Sequence, residues 1–366
     1  MILVKKGSRE ITSTELLSLL PTPSPRDPER VDSRSMTATK ILVTGGAGYI
    51  GSHVCKGLAR AGYEPIVYDN LLRGHRAAVR WGALEVGDMT DERRLHEVLE
   101  RHRPASVMHF AALTYVGESV SDPALYYSNN VVGTLALLAA MRRFGIDTLV
   151  FSSTCATYGN PVRLPLTEDH PREPINPYGS SKLTVERILA DYSIAYGLRS
   201  AVLRYFNAAG ADPEGEIGED HEPETHAVPL AIMAAAGEGP PFRVFGTDYP
   251  TPDGSAIRDY IHVVDLAEAH LAALRYLLDG GATDAFNLGT GAGTSVLELI
   301  ASVERVGTRA VPVVYAPRRP GDPPVLVADA RRAAEILGWQ ARCRDIDQIV
   351  RTAWSWHCRG DQQVEV

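Results

Sequence analysis

Residues 40–53 read KILVTGGAGYIGSH, a short apolar run that passes through Gly45, Gly48 and Gly51 into a helix-like pattern. A turn this tight brings bare backbone up to whatever lies above it. The next helix begins with N–H groups that have no acceptor in their own turn. Those donors suit a pyrophosphate, and the strand before and helix after separate a dinucleotide loop from an ordinary glycine turn. A loop of this kind belongs in an architecture of parallel strands joined by helices.

The chain continues in that way. Strands are expected at 40–44, 64–69, 83–88, 106–111, 148–153 and 200–206, with helical patterns at 91–102, 123–144 and 179–196. The apolar runs are nearly continuous rather than alternating, as in strands covered on both faces. The expected class is α/β, a Rossmann-type doubly wound parallel sheet with a smaller C-terminal α/β substrate domain. Beyond residue 207 the pattern loosens, with Pro/Gly-rich loops at 212–224, 246–255 and 316–324. Residues 39–207 are expected to form the cofactor domain, with a return at about 257–289 because AFNLG (285–289) again reads as a core strand. Residues 208–358 form mainly the second domain, and 359–366 a tail. The Pro-, Ser- and Arg-rich stretch up to residue 38 reads as a disordered extension, or as sequence upstream of a start at Met36.

Among 366 residues, 37 Lys and Arg stand against 45 Asp and Glu, a net charge of −8. An acidic chain without a basic stripe excludes nucleic acid as the expected partner, so phosphates must be met by N–H groups and a few placed arginines. Four scattered cysteines, Cys55, Cys155, Cys343 and Cys358, read as reduced thiols in a cytoplasmic protein. The 11 histidines form no HExxH-like cluster, so no metal is expected. No apolar stretch has the length of a membrane span.

Asp69 ends the second expected strand, where a carboxylate can take the ribose hydroxyls of an adenosine and repel a 2′-phosphate. NAD is therefore expected over NADP, although Arg73 and Arg76 lie nearby. Asp88 closes the third strand and is placed to meet the adenine edge. In NPYGSSK (176–182), Tyr178 and Lys182 stand four apart at the start of a helix, on one face. A free tyrosine, with a pKa of about 10, is ionised in roughly one molecule per thousand at pH 7. An adjacent ammonium and the positive ring of bound NAD would favour the phenolate, and a lowering of about three units would give a base poised near neutrality.

The glycine loop, SSTCATYG (152–159), YGSSK and LRYFNAAGA (203–211) together resemble the extended short-chain dehydrogenase/reductases, and within them the UDP-sugar 4-epimerases. The resemblance runs over residues 40–358. It implies retained NAD, a UDP-sugar substrate and a homodimer, with helices 123–144 and 179–196 as the candidate interface. The expected reaction interconverts UDP-glucose and UDP-galactose by transient oxidation at C4, rotation of the 4-keto sugar and return of the hydride. Tyr178, Lys182 and Thr154 would be catalytic, Thr154 holding the C4 oxygen. Tyr49, Ile50, Asn70, Met89, Phe110, Ala111, Leu113, Asn129, Ser152 and Phe206 would join the glycines and acids around NAD. Asn207 and His226 would contact the substrate, Arg258 and Arg319 its phosphates, Asp322 its ribose and Leu326 the sugar. Three positions depart from some members: Thr114 where lysine occurs, His226 where asparagine occurs, and Leu326 where a tyrosine fills the pocket. Leucine there leaves N-acetylated and pentose sugars open.

The resemblance also sets a rival. Related dehydratases carry an Asp–Glu pair after the strand-end hydroxyls, because elimination needs one group to remove a proton and another to protonate the departing hydroxyl. Here those positions are Cys155 and Ala156, which leaves hydride transfer without elimination. A non-catalytic NAD sensor would have no use for Thr154, Tyr178 and Lys182 together, and an ordinary dehydrogenase would consume added cofactor.

Overall fold

The computed structural model describes residues 38–319 and 322–359. Residues 1–37, with the extension and the Met36 start, and the tail beyond 359 lie outside the described residues. In chain order the strands are β1 (Lys40–Thr44), β2 (Glu64–Asp69), β3 (Ala83–Val86), β4 (Ser106–His109), β5 (Thr148–Thr154), β6 (Arg199–Tyr205), β7 (Asn207–Ala209), β8 (Phe242–Phe245), β9 (Ile257–Arg258), β10 (Tyr260–His262), β11 (Asp284–Leu288), β12 (Thr294–Ser295), β13 (Val313–Ala316) and β14 (Val325–Leu326). The helices are α1 (Tyr49–Arg60), α2 (Glu92–His102), α3 (Val116–Ser121), α4 (Pro123–Tyr126), α5 (Gly133–Phe144), α6 (Pro177–Tyr196), α7 (Ala227–Ala236), α8 (Val263–Leu278), α9 (Val296–Gly307), α10 (Arg331–Leu337) and α11 (Ile346–His357).

Seven parallel strands form the main sheet in the order β11-β6-β5-β4-β1-β2-β3. The unbroken apolar runs are explained by its two covered faces. Ile41 and Val43 point to one side, where they meet Val54, Leu58 and the α8 residues Leu266 and Leu274. Leu42 points to the other, among Leu95, Leu99, Leu137, Met141 and Leu189. Each such side chain contributes about 1.5–3 kcal/mol on burial. β1 pairs with β2 on one side and β4 on the other. Chain order therefore reverses beside β1, and a crevice opens over the carboxyl ends of β1 and β4.

The differences from expectation are local. β3 stops at Val86 and β4 at His109, short of 88 and 111. After β4 the chain folds over the glycine loop, with Phe110 N and Ala111 N both donating to Thr44 O. The helix expected over 123–144 is broken by a π-helical segment, Tyr127–Val132, between α4 and α5. α6 begins at Pro177, because the Asn176 side chain accepts from Gly179 N at 2.8 Å and proline suits the first helical position.

β11 pairs with β6 at the sheet edge, placing Phe286 opposite Leu203. Between and beyond these strands, β7–β10, β8–β13 and β12–β9–β14 form small sheets. A separate apolar cluster of Val228, Ile232, Leu299, Val303, Ile349 and Val350 ties α7, α9 and α11 together.

Candidate functional site

A cavity of about 850 Å³ occupies the crevice and runs from the glycine loop to the loop before β14. The three glycines have separate reasons. Gly45 has φ +73°, and a Cβ there would lie 2.5 Å from Ala111 N; one on Gly51 would lie 2.2 Å from Gly45 O. A Cβ on Gly48 would meet nothing closer than Gly45 O, at 3.4 Å. Gly45 and Gly51 are thus required by the protein's own packing, whereas Gly48 keeps clear the space above the start of α1. Among the described residues that start has no side-chain cap, which leaves its first N–H groups for an anion.

Asp69 stands beside this loop, with Oδ2 accepting from Ala47 N at 3.0 Å and Oδ1 from Leu71 N at 2.8 Å. Burial pushes its carboxyl upward, and these backbone donors oppose the rise. Both oxygens keep further lone pairs. Asn70 lines the cavity, but Asp88 does not. Its oxygens are engaged by Thr90 and by Asn70 Nδ2 at 2.8 Å. Asp88 thereby orients Asn70, and its Oδ2 keeps a lone pair for a further donor. Every other residue expected from the sequence lines the same wall. Open space at Gly48, an uncapped helix start and an acid at the end of β2 together fit NAD.

Thr154 ends β5, while Tyr178 and Lys182 project from the first turns of α6. Tyr178 and Lys182 are buried, as is Thr154. Burial drives the Tyr178 hydroxyl well above its usual pKa; Tyr205 adds to this, and a hydrogen bond from Thr154 works against it. The polypeptide's own groups thus raise this hydroxyl, and the expected lowering belongs to Lys182 together with the positive ring of bound NAD. Lys182 Nζ donates to Ser152 O at 2.9 Å and lies 4.9 Å from the centre of the Phe151 ring. Burial lowers it to about 7, with Glu186 pulling upward. Glu186 is held in turn by Arg204, by Ser153 Oγ at 2.6 Å and by Arg172. The pair thus rests on a buried ionic platform.

At the far end, Arg258 and Arg319 line the cavity with Asn207, His226 and Leu326. Arg258 is ion-paired to Asp322, so the acid expected at a ribose is bound to the arginine expected at a phosphate. Arg319 lies 3.8 Å from the centre of the Phe245 ring, and burial lowers its pKa.

Some wall and support residues had no expected role. Tyr205 shares a 2.6 Å hydrogen bond with Ser152 Oγ. Asn130 holds Leu113 by N and O, at 2.8 and 3.0 Å, and its Nδ2 donates to Ser181 Oγ at 3.0 Å, joining the cofactor wall to α6. Asn130 follows the expected Asn129 directly, and the NN pair was the only signal. Glu219 and His221 also line the cavity; with Glu224, they surround His226. Burial alone would lower the two imidazoles, but the carboxylates hold His221 at about 9 and His226 at about 10.

A family model described as the NAD dependent epimerase/dehydratase family matches residues 41–289. The UDP-glucose 4-epimerase of Rhizobium meliloti is 57% identical over 327 residues, covering 89% of this chain and 99% of its own. The crystal structure of UDP-glucose 4-epimerase from Brucella ovis in complex with NAD superposes with a TM-score of 0.85 at 56% identity, over 87% of this chain and 98% of that one. A UDP-glucose 4-epimerase from Stenotrophomonas maltophila, with bound NAD and formylated UDP-arabinopyranose, gives a TM-score of 0.86 at 41% identity, over 89% and 99%.

Proposed function

The chain belongs to the NAD dependent epimerase/dehydratase family, and from that premise we propose that it is an NAD-dependent isomerase that epimerises UDP-sugars at C4, interconverting UDP-glucose and UDP-galactose. The observation that carries the reading is the meeting of Thr154, Tyr178 and Lys182 with the glycine loop on one cavity, where Cys155 and Ala156 stand in place of an acid pair. The wall from Gly45 to Leu113, with Asp69, Asn70 and Ser152, would hold NAD. When bound, NAD supplies a reversible hydride acceptor at C4.

The residues do the rest. Tyr178 takes the proton of the C4 hydroxyl and returns it to the same oxygen once the sugar has turned its other face. Thr154, close enough to Tyr178 to oppose the rise in its pKa, holds the same sugar oxygen in line. Lys182, near neutrality, carries the charge that compensates a phenolate one helical turn away. Arg258 and Arg319 grip the diphosphate while the sugar turns, since a guanidinium binds phosphate through parallel hydrogen bonds. Asn207 and His226 flank it, Asp322 serves the ribose beside Arg258, and Leu326 bounds the sugar. Leucine at 326 also supports acceptance of other UDP-sugars, such as the arabinopyranose type seen with the Stenotrophomonas maltophila relative.

On the same grounds the chain divides into an NAD part, 39–207 with its return, and a nucleotide-sugar part over 208–358. The protein is then a cytoplasmic homodimer. Exposed Val132, Leu135, Ile194 and Tyr196 on the faces of the π segment, α5 and α6 support that interface, and light scattering on the purified protein tests it. For the activity, UDP-galactose is mixed with protein and no added cofactor, and the anomeric protons are followed by NMR. A UDP-glucose/UDP-galactose mixture is expected. A 4-keto-6-deoxy product, or stoichiometric consumption of supplied NAD, would overturn the assignment.

A further inference from the structure

Three side chains that the proposed reaction leaves unused meet His226 beside the cleft. Glu219, His221, Glu224 and His226 all come from the short run EDHEPETH, and one ligating atom from each lies within 4.8 Å of the others. His226 Nδ1 is 2.9 Å from Glu219 Oε1 and 2.9 Å from Glu224 Oε1. His221 Nδ1 is 3.3 Å from Glu219 Oε1 and 3.7 Å from Glu224 Oε2. Zinc holds nitrogen and oxygen ligands at about 2.0–2.2 Å, so atoms on a tetrahedron around it stand about 3.3–3.6 Å apart. Taken through one oxygen of each carboxylate, Glu219 Oε1 and Glu224 Oε2, the separations of 2.9, 3.3 and 3.7 Å straddle that edge.

A second observation points the same way. The Glu219 side chain is only 7% exposed, yet the imidazole contacts of its Oε1, and those of His221 Nδ1, are close approaches that satisfy neither atom as a hydrogen bond among the described residues. Buried polar atoms are rarely left so, and a missing ion is one physical reason when they are. A cation centred among the four groups satisfies both atoms at once.

We propose that Glu219, His221, Glu224 and His226 form a closed site for a divalent transition metal of the zinc class. Two imidazoles and two carboxylates suit zinc, whereas calcium and magnesium take six or more oxygens. Four protein ligands leave no open position, so the metal is structural and takes no part in hydride or proton transfer.

Its effect is set by the contacts of the run. Arg73 Nη1 donates to Glu222 O at 2.8 Å and Tyr115 OH to Pro223 O at 3.0 Å, both from the cofactor side of the cleft. Trp356 Nε1 of α11 donates to Glu219 O at 3.0 Å, and His226 is the residue from which α7 starts. The run is therefore a strap from the cofactor wall to the sugar-side helices, and the metal staples it shut. His226 Nδ1 is used in the staple, which leaves Nε2 for the substrate.

The test uses the full chain with its NAD. Protein treated with a chelator is equilibrated with Zn²⁺, desalted and measured by mass spectrometry of the metal; a parallel sample takes Co²⁺ and is read by visible absorption. One equivalent of zinc per chain, a tetrahedral cobalt spectrum and slower loss of NAD from the zinc-loaded protein are expected. Glu219→Gln and His221→Gln should each weaken retention by more than the roughly 10–100-fold that losing an outer-shell partner costs, with an unchanged far-ultraviolet circular dichroism spectrum. Zinc held equally by the wild type and the double variant, or NAD lost at the same rate with and without zinc, would overturn the proposal. If the variants do not fold, the wild-type cobalt spectrum decides, and an octahedral one overturns it.

Discussion

Lys182→Met exchanges a buried ammonium for a thioether of similar length, and its consequence should depend on pH in a definite direction. Burial pulls the lysine down to about 7 from its usual 10.5, against the pull of Glu186. Unfolded, the same lysine holds its proton to about 10.4. Between those values the unfolded chain binds more protons, so stability rises with pH. The penalty is full below about pH 7 and is relieved as pH climbs. Each unit is worth about 1.4 kcal/mol, so wild type should gain about 2–3 kcal/mol on the methionine variant between pH 7 and 9. Tyrosines ionise in the unfolded chain only near pH 10, outside that window. The lost packing of the lysine stem adds an offset that does not vary with pH, while the ammonium's contact with the Phe151 ring is part of what sets the folded pKa. Urea unfolding of cofactor-stripped protein at pH 6, 7, 8 and 9 measures the difference. Parallel curves would show that Lys182 stays charged throughout and that Glu186 outweighs burial.

Tyr178→Phe should lower kcat by about 10²–10⁴-fold, the usual worth of a placed general acid–base, with the NAD content of the purified protein unchanged; near-normal turnover would remove Tyr178 from the chemistry. Gly51→Ala should destabilise the fold by about 1–3 kcal/mol through overpacking, whereas Gly48→Ala should leave unfolding almost unaltered and reduce retained NAD. Equal behaviour of the two in melts and cofactor assays would contradict the separation drawn between them. Leu326→Ala should move kcat/KM toward UDP-N-acetylglucosamine relative to UDP-glucose by about 10-fold or more, and an unchanged ratio in competition assays would place the sugar elsewhere. Glu186→Gln leaves the buried Arg204 charge without its partner and should cost about 3–5 kcal/mol in denaturant titrations; a loss under about 1 kcal/mol would mean water reaches that pair.

The sheet was legible because its signal is chemical and local. Ile41, Leu42 and Val43 can all be apolar only in a strand covered on both sides, and the glycine loop then fixes a helix after that strand. The nucleotide wall was legible for the same reason: Tyr178 and Lys182 are joined by helix geometry and Gly48 by its place before α1. The direction of side chains lay beyond the pattern. Asp88 sits where expected, but turns to Asn70 and Thr90. Arg258 and Asp322, 64 residues apart, pair with each other. The Glu219–His226 group escaped notice because its ligands lie in a proline-containing loop, where spacing has no fixed period, unlike an HExxH on a helix. The π segment at Tyr127–Val132 likewise changes no periodicity strongly enough to be read.

The placement of β11 at the open side of β6 bears on how this molecule is made. A ribosome delivers β1 through β6 well before residues 284–288, and in that interval β6 presents an unpaired edge beside apolar Leu203 and Val202. α8, which covers Val54 and Leu58, is also still to come. The nascent nucleotide half is therefore a sheet with one raw border and one face covered by α1 alone, the form most open to pairing with a stranger. Its completion waits on the synthesis of nearly the whole sugar-side segment, so the two halves mature together although they are read in sequence. Chains released at residue 207 should accumulate as aggregates rather than as a small NAD-binding protein.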